Sequence, residues 1–203
     1  RMVFYMRAIG HAGARQYLAT CDSRVEKCLA RLLGFSTDKL PAAARTQATL
    51  PVRLGGLGIR RSADHWHSAA LAASSSNYAL CCRLDKKFVW DQEGWSQTAT
   101  AYNESTSPNW LVCSRERPPR GLEQRSLSYG IVTATHNRLL DESDAVDKAR
   151  LLHLQLDYAG AWLSPQLERD NAIADTPYKL LVRSRLGLPL YKQAQGVIAA
   201  NKS

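Results

Sequence analysis

Asp22–Leu33, DSRVEKCLARLL, is the stretch whose spacing decides the fold class. Val25, Cys28, Leu29, Leu32 and Leu33 fall on one side of a 3.6-residue turn, and Arg24, Lys27 and Arg31 recur at i, i+3 and i+7 on the other. That pattern fits an α-helix and not a strand, whose sides alternate every second residue. Asp22 is placed to cap it, because a carboxylate there can accept hydrogen bonds from the first free N–H groups. Gly34 breaks the pattern. The basic stripe reads both as a rail for a phosphate backbone and as the wet side of an amphipathic helix.

The neighbouring segments extend the same reading. Residues 2–9 are apolar with one charge, compatible with a buried helix or strand. A short helix is expected around Ala42–Ala48. Pro51 then opens an extended stretch in which Gly55, Gly56 and Gly58 allow positive φ or close backbone approach. Ser62 is placed to cap the next helix, about Ala63–Leu80, with Asp64 in its first turn and Trp66, Ala69, Ala70, Ala73 and Leu80 on its apolar face. Its Ala and Ser residues let neighbouring backbones come close. Residues 84–120 change character, with Trp90, Trp95 and Trp110 among polar residues and a closing RERPPRG that disfavours helix.

Helical spacing resumes with Leu122, Tyr129, Val132 and Leu139. Ser143 would cap a further helix with Ala145, Ala149, Leu152 and Leu156 on its face. In the last helix, Thr176 reads as N-cap, Pro177 as first turn and Gly187 as stop, before Pro189. The expected fold is mainly α. It comprises a basic helical region over 1–83 with a short Gly-rich extended segment, a linker or loop over 84–120, and a small helical subdomain over 121–203.

With 203 residues and 45% apolar content the chain can bury a core. No run of 18 apolar residues exists, so the sequence contains no membrane-spanning helix. The start, RMVFYMRAIGH, is a poor signal peptide. With an Arg before the first Met and an amphipathic pattern already under way, it reads as part of something longer. Charge is distributed unevenly. Residues 1–61 hold eleven Lys/Arg against three carboxylates, a net +8, whereas residues 62–203 hold sixteen against fifteen. A local field of that sign attracts polyanions and releases their condensed counterions. Five cysteines without a CxxC pair suggest no disulfide framework and point to a reducing, intracellular compartment.

Catalytic constellations are hard to assemble from these residues. Gly55-Gly56-Leu57-Gly58 lacks the spacing and the Lys of a phosphate loop and reads as a structural turn. His65 and His67 flank Trp66; two residues apart on a helix they point away from each other and cannot share a metal. Cys81 and Cys82 are equally ill-placed for zinc. A polymerase needs carboxylates that hold two cations about 4 Å apart. Here there is no Asp-Asp pair and no Tyr-x-Asp-Asp, and Asp141, Glu142, Asp144 and Asp147 look like the acidic start of a helix. No nucleophile elbow occurs.

Taken together, FYMRAIG at 4–10, RVEKCLARLLG at 24–34 and ATLPVRLGGLGIRRSADHWHSAALAASSSN at 48–77 resemble the stretch following the palm of non-LTR retrotransposon reverse transcriptases. The later ARLLHLQLDYAGAWLSPQLERDNAIADTPYKLLVRSRLGLPLY, at 149–191, is similar to the family's post-polymerase part, with its Ala-Gly-Ala-Trp and Arg-Leu-Gly-Leu-Pro blocks in the expected order. The resemblance implies a thumb-like bundle that is the non-catalytic C-terminal portion of an RNA-directed DNA polymerase. Its partners would be RNA or an RNA–DNA duplex and the upstream palm and fingers, in the nucleus or cytoplasm. Arg24, Lys27, Arg31, Arg53, Arg60 and Arg61 would meet phosphates, and Gly55, Gly56 and Gly58 would permit close approach. The paired Asp of the palm and the magnesium of the parent enzyme lie outside this chain. In many members a Cys/His knuckle follows the Arg-Leu-Gly-Leu-Pro block; here the sequence continues as YKQAQGVIAANKS with no Cys, as expected either of a fragment that stops short of the knuckle or of a degenerate copy. The alternative is a non-enzymatic helical interaction or scaffold protein derived from such an element, with Trp90, Trp95 and Trp110 as its partner site.

Overall fold

A computed structural model describes residues 14–35, 40–112, 118–163 and 173–190. Among the described residues there are seven α-helices and no strand: α1 (Ala14–Leu32), α2 (Ala42–Thr49), α3 (Ser62–Leu84), α4 (Gln92–Asn103), α5 (Gln124–Glu142), α6 (Ala145–His153) and α7 (Asp175–Arg185). The fold is mainly α, as the periodicity requires. The expectations for residues 2–9 and for the FYMRAIG and YKQAQGVIAANKS segments lie outside the described residues.

The Ala- and Ser-rich helix α3 is the centre of the molecule, packing against α1, α4 and α5. From His65 to Ala72 every residue is buried. Small side chains allow this, since a helix enclosed on several sides must let neighbouring backbones come close. Leu80, expected on its apolar face, is exposed. Ser62 does not cap the helix. The capping oxygens belong to Asp22, whose Oδ1 accepts from Ser62 N at 2.9 Å and whose Oδ2 accepts from Ala63 N at 2.8 Å. Asp22 lies well inside α1 (Ala14–Leu32), so it is not that helix's own cap. The inward side of α1 rotates accordingly: Leu18, Asp22, Ala30 and Leu33 are buried, whereas Val25, Cys28 and Leu32 face solvent.

Helix stops follow the sequence closely. Gly34 takes φ 80° and Gly187 takes φ 66°. At each, the next residue's N–H reaches back five residues, from Phe35 to Ala30 O (3.0 Å) and from Leu188 to Arg183 O (2.8 Å). These are Schellman ends, which need a left-handed residue that only glycine adopts without strain. Two expected caps shift. α6 is capped by Asp144, whose carboxylate accepts from Asp147 N at 2.8 Å, while the Ser143 hydroxyl donates back to Leu139 O. α7 begins at Asp175 behind Ala174, with no side-chain cap, and Thr176 lies inside it. The face expected on α6 is also turned outward: Ala145, Ala149, Leu152 and Leu156 are exposed, and Leu151 points in.

Residues 84–120, expected as linker or loop, contain α4. Asp91 caps it by accepting from Gly94 N at 2.9 Å. Its Trp95, Ala99 and Tyr102 join Leu71, Ala72, Leu127 and Ile131 in one core cluster. The helices of residues 121–203 do not pack among themselves alone. Val182, Leu186 and Leu188 share a cluster with Ala30, Leu33, Ala44 and Ala48, and Val132, Leu139 and Leu151 share another with Leu50.

Candidate nucleic-acid interface

The segment between α2 and α3 is folded more tightly than an extended strand. Val52–Leu54 form a 3-10 turn, and Gly55 and Gly58 take φ 84° and 73°. At Gly56 an added Cβ would lie 1.9 Å from Leu50 O, so only glycine fits. Gly55 and Gly56 are buried, and both lie close to the chain itself, Gly56 against the Leu50 and Gln47 carbonyls and Gly55 against the Leu154 side chain. That corrects their expected role at a phosphate backbone; Gly58 is exposed.

Beneath the turn lies a buried polar network that no motif announced. Arg185, 2% exposed, donates from Nε to Gly56 O (3.0 Å), from Nη1 to Ala159 O (3.0 Å) and from Nη2 to Val52 O (2.6 Å). Burial pulls its guanidinium below the ordinary Arg range. Three carbonyl dipoles replace the water it has lost, in place of a carboxylate. Gln47, also buried, donates to Gly55 O (2.9 Å) and Arg185 O (2.7 Å) and accepts from Arg150 Nη2 (3.1 Å). Arg150 is itself held by Asp147 at 2.9 Å. The Leu-Pro-Val-Arg-Leu-Gly-Gly-Leu-Gly, Ala-Gly-Ala-Trp and Arg-Leu-Gly-Leu-Pro blocks, more than 100 residues apart at their extremes, therefore meet at one side chain. The sequence singled out Arg185 only as the first residue of the Arg-Leu-Gly-Leu-Pro block, with no role of its own.

With the turn fixed, its cations project outward. Arg53 and Arg60 are exposed and line an open groove of about 1000 Å3 whose other wall comes from α5 and Trp110. Arg53 stands over the Tyr129 ring, 5.4 Å from its centroid. Arg61 is exposed but faces Asp64 at 3.5 Å, an ion pair on the surface that contributes little. Arg24, Lys27 and Arg31 are exposed along α1 but do not line this groove. Of the six expected cations, Arg53 and Arg60 thus share the groove, Arg24, Lys27 and Arg31 lie along α1, and Arg61 belongs to neither set.

The other candidates resolve structurally. His65 and His67 are both buried, and burial lowers each imidazole to about 4. Nε2 of His67 meets Ser105 Oγ at 2.7 Å. Among the described residues no group of three His, Cys, Asp or Glu could hold a metal ion. Asp144 and Asp147 are engaged, the first in the α6 cap and the second with Arg150. Trp95 is buried, and Trp90 and Trp110 are half-buried, which removes most of the exposed aromatic area a partner would need. No described helix is long and apolar enough to cross a membrane. Compared with models of protein families, with curated proteins and with solved structures, the chain matches none.

Proposed function

We propose that this chain is the non-catalytic thumb and post-core portion of a retrotransposon-type RNA-directed DNA polymerase, and that it grips template–primer nucleic acid. The observation that carries the reading is the placement of Arg53 and Arg60, with Arg125, around a single groove. Among the described residues none of these three is paired with a carboxylate. Cations without an internal carboxylate partner suit phosphates, because no ion pair has to break when they bind and condensed counterions are released. The net +8 of residues 1–61 supports the same role, with Arg24, Lys27 and Arg31 as a second phosphate-facing stripe. In this reading the palm and fingers of a parent chain are the protein partners, the compartment is nuclear or cytoplasmic, and chemistry resides in the palm.

Titrating the purified chain with an RNA–DNA hybrid duplex at stepped salt tests it. Affinity should fall steeply and linearly on a log–log plot. No binding at low salt would remove the role.

A further inference from the structure

Three residues that were not expected at a nucleic-acid site line the groove beside Arg53 and Arg60: Arg125, Trp110 and Tyr129. Trp110 meets Tyr129 edge to face, with ring centroids 5.6 Å apart and planes at 71°. That contact holds the tyrosine ring upright, and the guanidinium of Arg53 lies over it at 5.4 Å. Tyr129 is 42% exposed even with Arg53 and Trp110 against its ring, so it is within reach of a planar ligand. Arg125 stands one turn before Tyr129 on α5, and Glu123 also lines the groove, leaving a positive balance of two.

The combination has a specific chemistry. Cations that track a backbone, interleaved with aromatic faces, suit a single strand, because unpaired bases offer their flat sides to stack. A duplex hides those faces within its own stack and would use only the arginines. The groove's volume of about 1000 Å3 is in the range of sites that hold small-molecule ligands, large enough for a nucleotide. We infer that this groove takes an unpaired stretch of nucleic acid, with a base on Tyr129 and the flanking phosphates on Arg53, Arg60 and Arg125. The inference rests on the nucleic-acid reading above and narrows it to one surface and one strand state.

The test measures binding of a fluorescent 12-nucleotide oligo-uridine and of an RNA–DNA duplex of equal phosphate number to the full chain and to Tyr129→Ala, Tyr129→Phe and Arg125→Ala. Both positions are exposed, and thermal melting checks that each variant folds. Tyr129→Ala should weaken oligo-uridine binding about tenfold, with Tyr129→Phe restoring it and duplex binding unchanged. Arg125→Ala should lower the salt slope for the single strand by about one. If Tyr129→Ala binds both ligands as the parent does, or weakens both equally, the inference is overturned while the nucleic-acid reading stands. If the parent chain binds neither ligand, both are overturned.

Discussion

Asp22 shows how one side chain can serve a helix other than its own. Its two carboxylate oxygens take the first N–H groups of α3, 40 and 41 residues later, and tie α1 to the start of the central helix. The bonds are charge-assisted, one is buried, and they meet the positive end of the α3 dipole. Replacing Asp22 by Ala leaves those donors without partners. The expected cost is about 2 kcal/mol or more in urea unfolding, whereas Ser62→Ala, which removes no cap, should cost under about 0.5 kcal/mol. The residue type and its capping chemistry were legible in the sequence; its client was not. A carboxylate's reach across space leaves no mark on local spacing, and the nearer helix was the natural assignment.

At the scale of elements, local chemistry was legible wherever one residue's backbone decides the outcome. Gly34 and Gly187 end their helices because a left-handed turn is required there, and both stops stand in the sequence. α4 was overlooked although Trp95, Ala99 and Tyr102 recur at i, i+4 and i+7, because the polar residues between them and the following Pro118–Pro119 read as loop. Arg185 was overlooked for a different reason. Its value lies in joining α7 to the Val52–Gly56 turn and to Ala159, contacts that span 26 to 133 residues. Arg185→Met keeps the apolar stem and strips three carbonyls of their donor. A loss of about 3 kcal/mol or more is expected, with faster hydrogen exchange at the Gly55, Gly56 and Gly58 amides. Unchanged exchange there would mean that the turn holds its shape without α7.

Across the whole molecule, regions divided by sequence position are interleaved in space, with the last described helix lying against the first. Composition could not reveal this, because cluster partners far apart in the chain share only being apolar. A further property of the assembled molecule is its response to acid. His65 and His67 sit on the enclosed helix α3 with imidazoles lowered to about 4, chiefly by loss of hydration, aided by Arg60 at His65 and by His65 at His67. An unfolded chain takes up those protons near pH 6.5, so between about 6.5 and 4 it binds protons that the folded chain refuses. Stability should therefore be level above that window and decline on acidification through it, by up to about 3 kcal/mol per histidine. Urea midpoints taken from pH 7.5 to 4.5 read this directly, and midpoints that stay constant down to 4.5 would contradict it.

The central claim concerns the basic turn held by Arg185. Its most direct measurement is the salt dependence of RNA–DNA duplex affinity for the parent chain beside Arg53→Ala/Arg60→Ala, two exposed positions whose side chains are used in no internal ion pair among the described residues. Expected is weaker binding with a log–log slope shallower by about two, and a melting temperature lowered only by the loss of the Arg53–Tyr129 contact. Identical affinity and slope for the two proteins would contradict the assignment of that turn to nucleic acid.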